Sequence, residues 1–427
     1  MNPGEQTGGG RIAVIGSGVS GMTAAYLLSR RFAVTLFERD NRLGGHVHTH
    51  SIADPSGVTV AVDSGFIVHN DDTYPLLRRL FAELGVERHA TEMSMSISDA
   101  ASGLEYAGGR GAKGVFAQPR RALDPSFLGL LGEVRRFHRS ARQLLERNDD
   151  SGQMTYGDFL AEQRFSTRFI DLFAVPVVSC VWSMGASTAL NYPARYLFQF
   201  LANHGMLAVS GSPRWYTVVG GARTYVDAIA SRLPDVRVAR GVTAVRRDPS
   251  AIALTTSDGG VENFDGVVVA THPKEALALL ADATVAEREV LGAFRYSASE
   301  VVLHTDERLL PASRRARAAW NYRTPGTDEQ REQPVVTYWM NRLQGLETER
   351  EYLVTLNARD RIAPDQVLAV MQYEHPVYDL ESVGAQARLG SLATDRTVFA
   401  GAYHGWGFHE DGCRSGVEAA QHFGVIW

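Results

Sequence analysis

The chain reads as α/β with α+β insertions: a Rossmann-like dinucleotide-binding domain assembled from discontinuous segments, joined to a substrate domain of helices and an antiparallel sheet. Two observations predict this. Residues 11–38 run strand, glycine loop, helix, strand and acid in the order of a βαβ nucleotide unit. The last segment, TVFAGAYHGWGFHEDGCRSGVEAAQHF, returns to strand, glycine-rich loop and helix. The nucleotide pattern therefore stands at both ends, with insertions between.

Taken in order, RIAVI at 11–15 is a short β-branched run of the buried-strand type. Gly16-Ser17-Gly18-Val19-Ser20-Gly21 follows at once. The first glycine allows a tight turn, the second lets backbone approach a pyrophosphate, and the third lets helix and strand pack closely. MTAAYLLSR continues as a helix whose N-terminal N–H groups face the phosphates. AVTLFE ends at Glu38, 22 residues after Gly16, where a carboxylate accepts from ribose hydroxyls and repels a 2′-phosphate. This disfavours NADP.

The period of Leu130, Leu131, Val134, Phe137, Leu144 and Leu145 predicts a helix over 127–147. Its arginines Arg135, Arg136, Arg139 and Arg142 lie elsewhere on the surface. Further helices are expected at 155–163, 165–174 and 193–204. Phe169 to Met184, broken by Asp171, Pro176 and Ser179, reads as buried helix and turn. Segments 299–305, 334–340, 351–357 and 369–374 read as strands of an antiparallel sheet.

With 427 residues, 44% of them hydrophobic and 21% charged, the chain has the size of two or three globular domains. A net charge of -5 argues against a nucleic-acid binder. Two cysteines, Cys180 and Cys413, make no disulfide framework, which points to a reducing, cytoplasmic setting. The polar start, MNPGEQTGGG, lacks the pattern of a secretory signal. No run reaches the roughly 18 apolar residues of a spanning helix. Only Lys113 and Lys274 are lysines; the other basic residues are arginine.

Beyond the first unit, Arg42-Leu43-Gly44-Gly45-His46 follows the second strand, and Val62-Asp63-Ser64-Gly65-Phe66 comes soon after. Val219-Gly220-Gly221, Gly241-Val242, the run from Asp265 through Ala270 to Pro273, and the Gly401 loop leading to Ser415-Gly416 complete a series. In these segments, across the whole chain and in family order, the sequence resembles the flavin amine oxidase and phytoene desaturase superfamily. The resemblance implies a non-covalent FAD. It places Gly16, Ser17, Gly18, Val19, Ser20, Gly21, Glu38 and Arg39 at the nucleotide. It adds Arg42, Gly44, Gly45, His46, Ser64, Gly65 and Phe66 at the segments beside the flavin. Val242 is expected at the adenine, Ala270 and Gly401 along the cofactor, and His409 and Glu410 beside the ring at a helix start. The domains implied are FAD-binding at 10–98, 214–292 and 394–427, a helical substrate or cap region at 99–213, and a substrate-domain sheet at 293–393.

Two departures bear on activity. Gly401-Ala402 stands where amine oxidases usually carry an acidic residue after the glycine, and the lysine many of them hold near flavin N5 has no counterpart. LFERDNRLGGHVHTH, VDSGFIVHNDDTYP, TYWMNRLQGL, YEHPVYD and GFHEDGCRSG look most like a bacterial branch of amine-oxidase-like proteins. Members of that branch are often encoded beside cyclopropane-fatty-acid-synthase-like methyltransferases. This implies a fatty-acyl or lipid-like substrate, and the apolar 169–209 stretch suits either such a tunnel or a plain core.

Tyr403, His404, Trp406, Phe408 and His409 crowd one glycine-rich loop. His404, His409 and Trp406 are the candidates for a direct part in catalysis. His46, His48 and His50 alternate, so in a strand they share a face; no cysteine or spaced carboxylate completes a metal site, and polar lining or an exposed face is the reading. The arginine-rich helix and Arg314-Arg315-Ala316-Arg317 suit a solvated face or a peripheral membrane contact. Three activities stay open: lipid desaturation or oxidation, amine oxidation, and a non-redox isomerisation on reduced FAD. The oligomeric state is not legible.

Overall fold

A computed structural model describes residues 9–147, 153–208, 212–324 and 333–427; the start of the chain up to residue 8 lies outside these. A five-stranded parallel sheet orders its strands Asp235–Arg237, Ala33–Phe37, Arg11–Ile15, Gly266–Val269 and Thr397–Phe399. The three central strands are short, apolar and largely buried, as parallel strands under helices must be, while the edge strand Asp235–Arg237 is polar and half-buried.

Helix Val19–Leu28 is buried along its whole length, between this sheet and the last helix, His409–His422. Small residues permit the approach. A Cβ on Gly412 would stand 2.5 Å from the Val19 side chain, and one on Gly416 2.4 Å from the Ser20 carbonyl. The final helix is thereby fixed against the helix that opens the nucleotide loop.

The second region is built on a seven-stranded sheet. Its order is Val367–Val377, Arg295–His304, Leu353–Leu356, Val335–Trp339, Trp320–Arg323, Met95–Asp99 and Leu104–Gly108. The first four cover the segments read as strands in the sequence. The sheet is not purely antiparallel: Trp320–Arg323 pairs parallel with Met95–Asp99, a strand and a pairing that local pattern did not disclose. The added hairpin continues the ladder beyond Trp320–Arg323 and extends the sheet beneath the helices.

Those helices pack around Phe137, which meets Phe159, Phe165, Phe169 and Phe198 at ring-centroid distances of 6.2, 6.0, 5.6 and 5.6 Å. Helix Pro125–Glu146 starts at Asp124, whose carboxylate accepts from Ser126 N at 3.0 Å and Phe127 N at 3.3 Å. Arg135, Arg139 and Arg142 are exposed on its outer side. Pro176 does not end the buried segment. A π-helical turn, Ile170–Ala174, precedes helix Val175–Trp182, and such a turn accommodates a proline ring that lacks a donor and crowds the preceding turn. Among the described residues, no helix is long and apolar enough to cross a membrane.

Candidate functional site

A cleft of about 1000 Å³ runs from the parallel sheet into the second region. Its nucleotide end is made by Gly16–Ser20. Gly16 adopts φ +98° and donates to Phe37 O at 2.8 Å, so the chain turns sharply off its strand. Gly18 caps helix Val19–Leu28 without a side-chain acceptor, leaving the first N–H groups free for an anion. A Cβ on Gly18 would meet nothing within 4 Å, because that side of the loop is open cleft. A Cβ on Gly21 would lie 1.9 Å from Gly16 O, so Gly21 keeps the loop tight from behind and is not part of the wall.

Glu38 sits on the wall at the end of strand Ala33–Phe37, accepting from Ser17 N at 3.0 Å, from Ser17 Oγ and from Asp40 N at 2.9 Å. Arg39 pairs with Glu275 at 2.7 Å across the mouth, near Val242. The double-glycine turn closes over the first loop. Gly44 N donates to Ser17 Oγ at 3.0 Å, and a Cβ on Gly45 would stand 3.1 Å from Gly18 Cα. Gly45 lines the cleft; Gly44 braces the turn from outside it. Arg42 lines the wall and donates to Val47 O at 3.0 Å.

The middle of the cleft is lined by His46, Ser64, Gly65, Phe66, Ala270 and Gly401. Ser64 N and Phe66 N donate to His48 O and His46 O, both at 2.9 Å. Phe66 stacks on His409, which also lines the cleft. Burial, with the nearby His69, pushes the His409 imidazole down to about 3, so it is neutral at physiological pH. Buried nitrogens of His46, His375 and His409 have no protein partner.

Besides Gly21 and Gly44, three further expected residues are placed off the wall. Glu410 turns away and accepts from Leu76 N at 2.9 Å and Leu77 N at 3.0 Å, capping helix Pro75–Leu84. His404 lies against Tyr403, with ring centroids 4.8 Å apart, and not in the wall. Trp406 packs at 5.8 Å against Tyr196, donates to its carbonyl at 3.3 Å, and accepts at its own carbonyl from Trp182 at 3.1 Å. Tyr403 and Phe408 of the same loop do reach the cleft. Gln386 pins that loop through Tyr403 O at 2.8 Å and Gly405 O at 2.7 Å.

Sequence reasoning gave no role to several residues that matter here. Asp63 is fully buried and draws three donors together: Thr49 Oγ1, Gln344 Nε2 at 2.9 Å, and Ala222 N at 3.1 Å to each oxygen, with Asp63 N donating back to Gln344. It bolts the segment that carries Ser64–Phe66. Tyr373 and His375 also line the cleft. Tyr373 OH bonds to Ser64 Oγ at 2.7 Å and to His48 Nδ1 at 2.9 Å, while His50 Nε2 meets Ser64 Oγ at 2.9 Å. The alternation Tyr373-x-His375 in a strand was the available signal. Among the described residues no cluster suits a metal ion.

Past this belt the cleft continues as a chamber whose wall comes from the helices and the seven-stranded sheet. Phe137, Phe173, Val177, Trp182, Phe200 and Leu201 line it from the helices, and Met95, Ile97, Tyr106, Trp320, Tyr338 and Leu356 from the sheet side.

An uncapped helix start above open space, an acid at the end of the second strand and a belt of unpaired imidazole nitrogens fit a flavin dinucleotide, and define a flavin-dependent oxidoreductase. The chain belongs to the family of flavin containing amine oxidoreductases, which matches residues 19–422. Its cofactor is FAD; Cys413 is taken up in helix packing, 3.8 Å from Thr23 Oγ1. It is 26% identical over 314 residues to coproporphyrinogen III oxidase of Mycobacterium leprae (strain TN), covering 68% of this chain and 65% of that protein, under two thirds of its length. The fold is similar to cyclohexylamine oxidase of Brevibacterium oxydans IH-35A, with TM-score 0.69, 17% identity, and 97% and 98% of the two chains covered. It is also similar to a CLA-producing fatty acid isomerase from P. acnes, with TM-score 0.65, 15% identity, and 97% and 98% covered.

Proposed function

We propose that this flavoenzyme oxidises or desaturates an uncharged, lipid-like substrate held in the apolar chamber. The observation that carries the reading is the chamber wall itself. The twelve chamber side chains named above are aromatic or aliphatic on both the helical and the sheet side and include no carboxylate; of the carboxylates elsewhere on the cleft, Glu275 pairs with Arg39 at 2.7 Å and Glu374 stands 3.4 Å from His272. Burying an alkyl chain there is favourable at roughly 25 cal/mol per Å² of apolar surface, whereas an unpaired ammonium would lose its hydration without return. Both lysines of the chain are exposed, so neither occupies the place an amine oxidase keeps for one.

FAD, when bound, supplies an acceptor for hydride from a substrate carbon. The residues of this chain do the rest. The Gly18 helix start would hold the pyrophosphate, Glu38 the ribose, and Val242 would flank the adenine. The start of helix His409–His422, whose first residue lines the cleft, would present its N–H groups to the flavin and favour negative charge on it. His409, positioned by Phe66, would form a neutral wall against the cofactor and not a base. The chamber orients the reacting carbon and excludes water.

The test is incubation of the holoenzyme with neutral-lipid fractions and, separately, with an amine panel, products being read by mass. The reading expects a lipid that has lost two hydrogen atoms and unaltered amines. Amines converted to carbonyl compounds with peroxide would overturn it. An isomerase instead yields a lipid of unchanged mass, and only after the flavin has been reduced. Its fold likeness to a fatty acid isomerase makes that arm worth running.

A further inference from the structure

The chamber is apolar with an anomaly in its helical wall. His138, on helix Pro125–Glu146, lines the cleft beside Phe137, yet is only 8% exposed, and its Nδ1 is buried with no hydrogen-bond partner. Its ring neighbours are aromatic: Phe137 at 6.1 Å and Phe173 at 6.1 Å between centroids. A leucine or phenylalanine would serve a plain core at this position. An imidazole left unpaired there costs on the order of 1–3 kcal/mol. The rest of the helix spends its polar residues outward, with Arg135, Arg139 and Arg142 exposed.

We infer that His138 is the anchor for a polar group of the substrate, a neutral oxygen function such as a hydroxyl or a carbonyl, while the alkyl part fills the chamber. This rests on the reading of the chamber as the substrate site, and adds to it which part of the substrate binds where. The neutral form of the ring follows from its surroundings. Burial first, and the charge of Arg142 second, push His138 down to about 4, so at neutral pH it offers one N–H donor and one lone pair. Such a pair matches a hydroxyl, which both donates and accepts, or a carbonyl, which accepts. A carboxylate would have to shed its hydration for a single neutral donor inside an aromatic wall.

The proposal is tested on holoenzyme with three probes of equal chain length, 1-decanol, decane and decanoate, titrated by the perturbation of the flavin's visible spectrum, or by calorimetry where that is silent. The expected result is about tenfold tighter binding of decanol than of either other probe, the equivalent of one satisfied buried hydrogen bond. His138→Leu should abolish the preference, leave decane unchanged and retain its flavin. His138→Gln, which keeps a donor and an acceptor, should restore much of it. Equal binding of decanol and decane, a preference that survives in His138→Leu, or tightest binding of decanoate would each overturn the anchor while leaving an apolar chamber in place. Failure of all three probes to bind would instead overturn the chamber reading, and the anchor with it.

Discussion

The rings of Phe66 and His409 lie 3.6 Å apart between centroids and within 15° of parallel. This stack joins the Asp63–Phe66 segment to the first residue of the last helix, two stretches that meet only in the fold. It sets the position of the helix start that the proposed function aims at the flavin ring.

Phe66→Ala should therefore loosen that helix start. Removing a buried ring costs about 3–5 kcal/mol, and FAD affinity should fall along with the stability measured by urea unfolding. His409→Phe should keep the stack, keep the flavin, and leave the pH dependence of turnover unchanged between pH 6 and 9. Loss of a pH-dependent limb in that variant would make His409 a base.

Two glycines of the first loop should separate folding from binding. In Gly21→Ala the new methyl meets Gly16 O at 1.9 Å, so the loop must deform and both folding and flavin content should suffer. In Gly18→Ala the methyl meets no protein atom, so the apoprotein should melt as wild type does while FAD binds at least tenfold more weakly. Equilibrium dialysis against FAD and a thermal melt of each apoprotein decide the matter.

His69 offers a test of acid stability. It is fully buried on strand Val68–Asn70, both ring nitrogens lack partners, and burial, with Arg88, pushes it down to about 4 from 6.5. Above the unfolded value both states are neutral and nothing is lost. Between the two values the unfolded chain binds a proton that the folded chain refuses, so stability falls as pH drops through that window. His69→Phe should flatten this decline and, by removing unpaired polar atoms, add about 1 kcal/mol at pH 7.5. Asp63, which burial pushes up to about 7, contributes with the opposite sign, but equally in both proteins. Urea midpoints at pH 7.5 and 5.0 that move in parallel would contradict the account.

Lys113 and Lys274 are both exposed. Replacing both with glutamine should leave the rate of flavin reduction within about twofold, as for substitutions away from a site. A large loss at either position would restore the lysine chemistry of amine oxidases to this chain.

What the sequence disclosed was what is local. The Gly16–Gly21 loop, Glu38, the double glycine and the helix over Pro125–Glu146 are written in runs of neighbouring residues. What it did not disclose depends on partners far along the chain. Asp63 finds Ala222 and Gln344 across 159 and 281 residues, and Ser64 finds Tyr373 across 309. Glu410 stands beside His409 in sequence, but its carboxylate is drawn off by two backbone N–H groups 334 and 333 residues away. Trp406 and His404 share the glycine-rich loop with Phe408 and His409. Adjacency alone does not tell which rings of a tight loop face the cleft and which face the protein. The strand at Trp320–Arg323 is too short to declare itself, and its parallel partner is more than 200 residues upstream.

The most direct measurement is an anaerobic titration of purified holoenzyme, following the flavin's visible band, with a neutral-lipid extract and in parallel with primary amines including cyclohexylamine. The account predicts a yellow protein whose band bleaches with lipid and not with amines. Bleaching by amines alone would contradict the substrate reading, and a protein that stays colourless after incubation with FAD would contradict the assignment of the cleft.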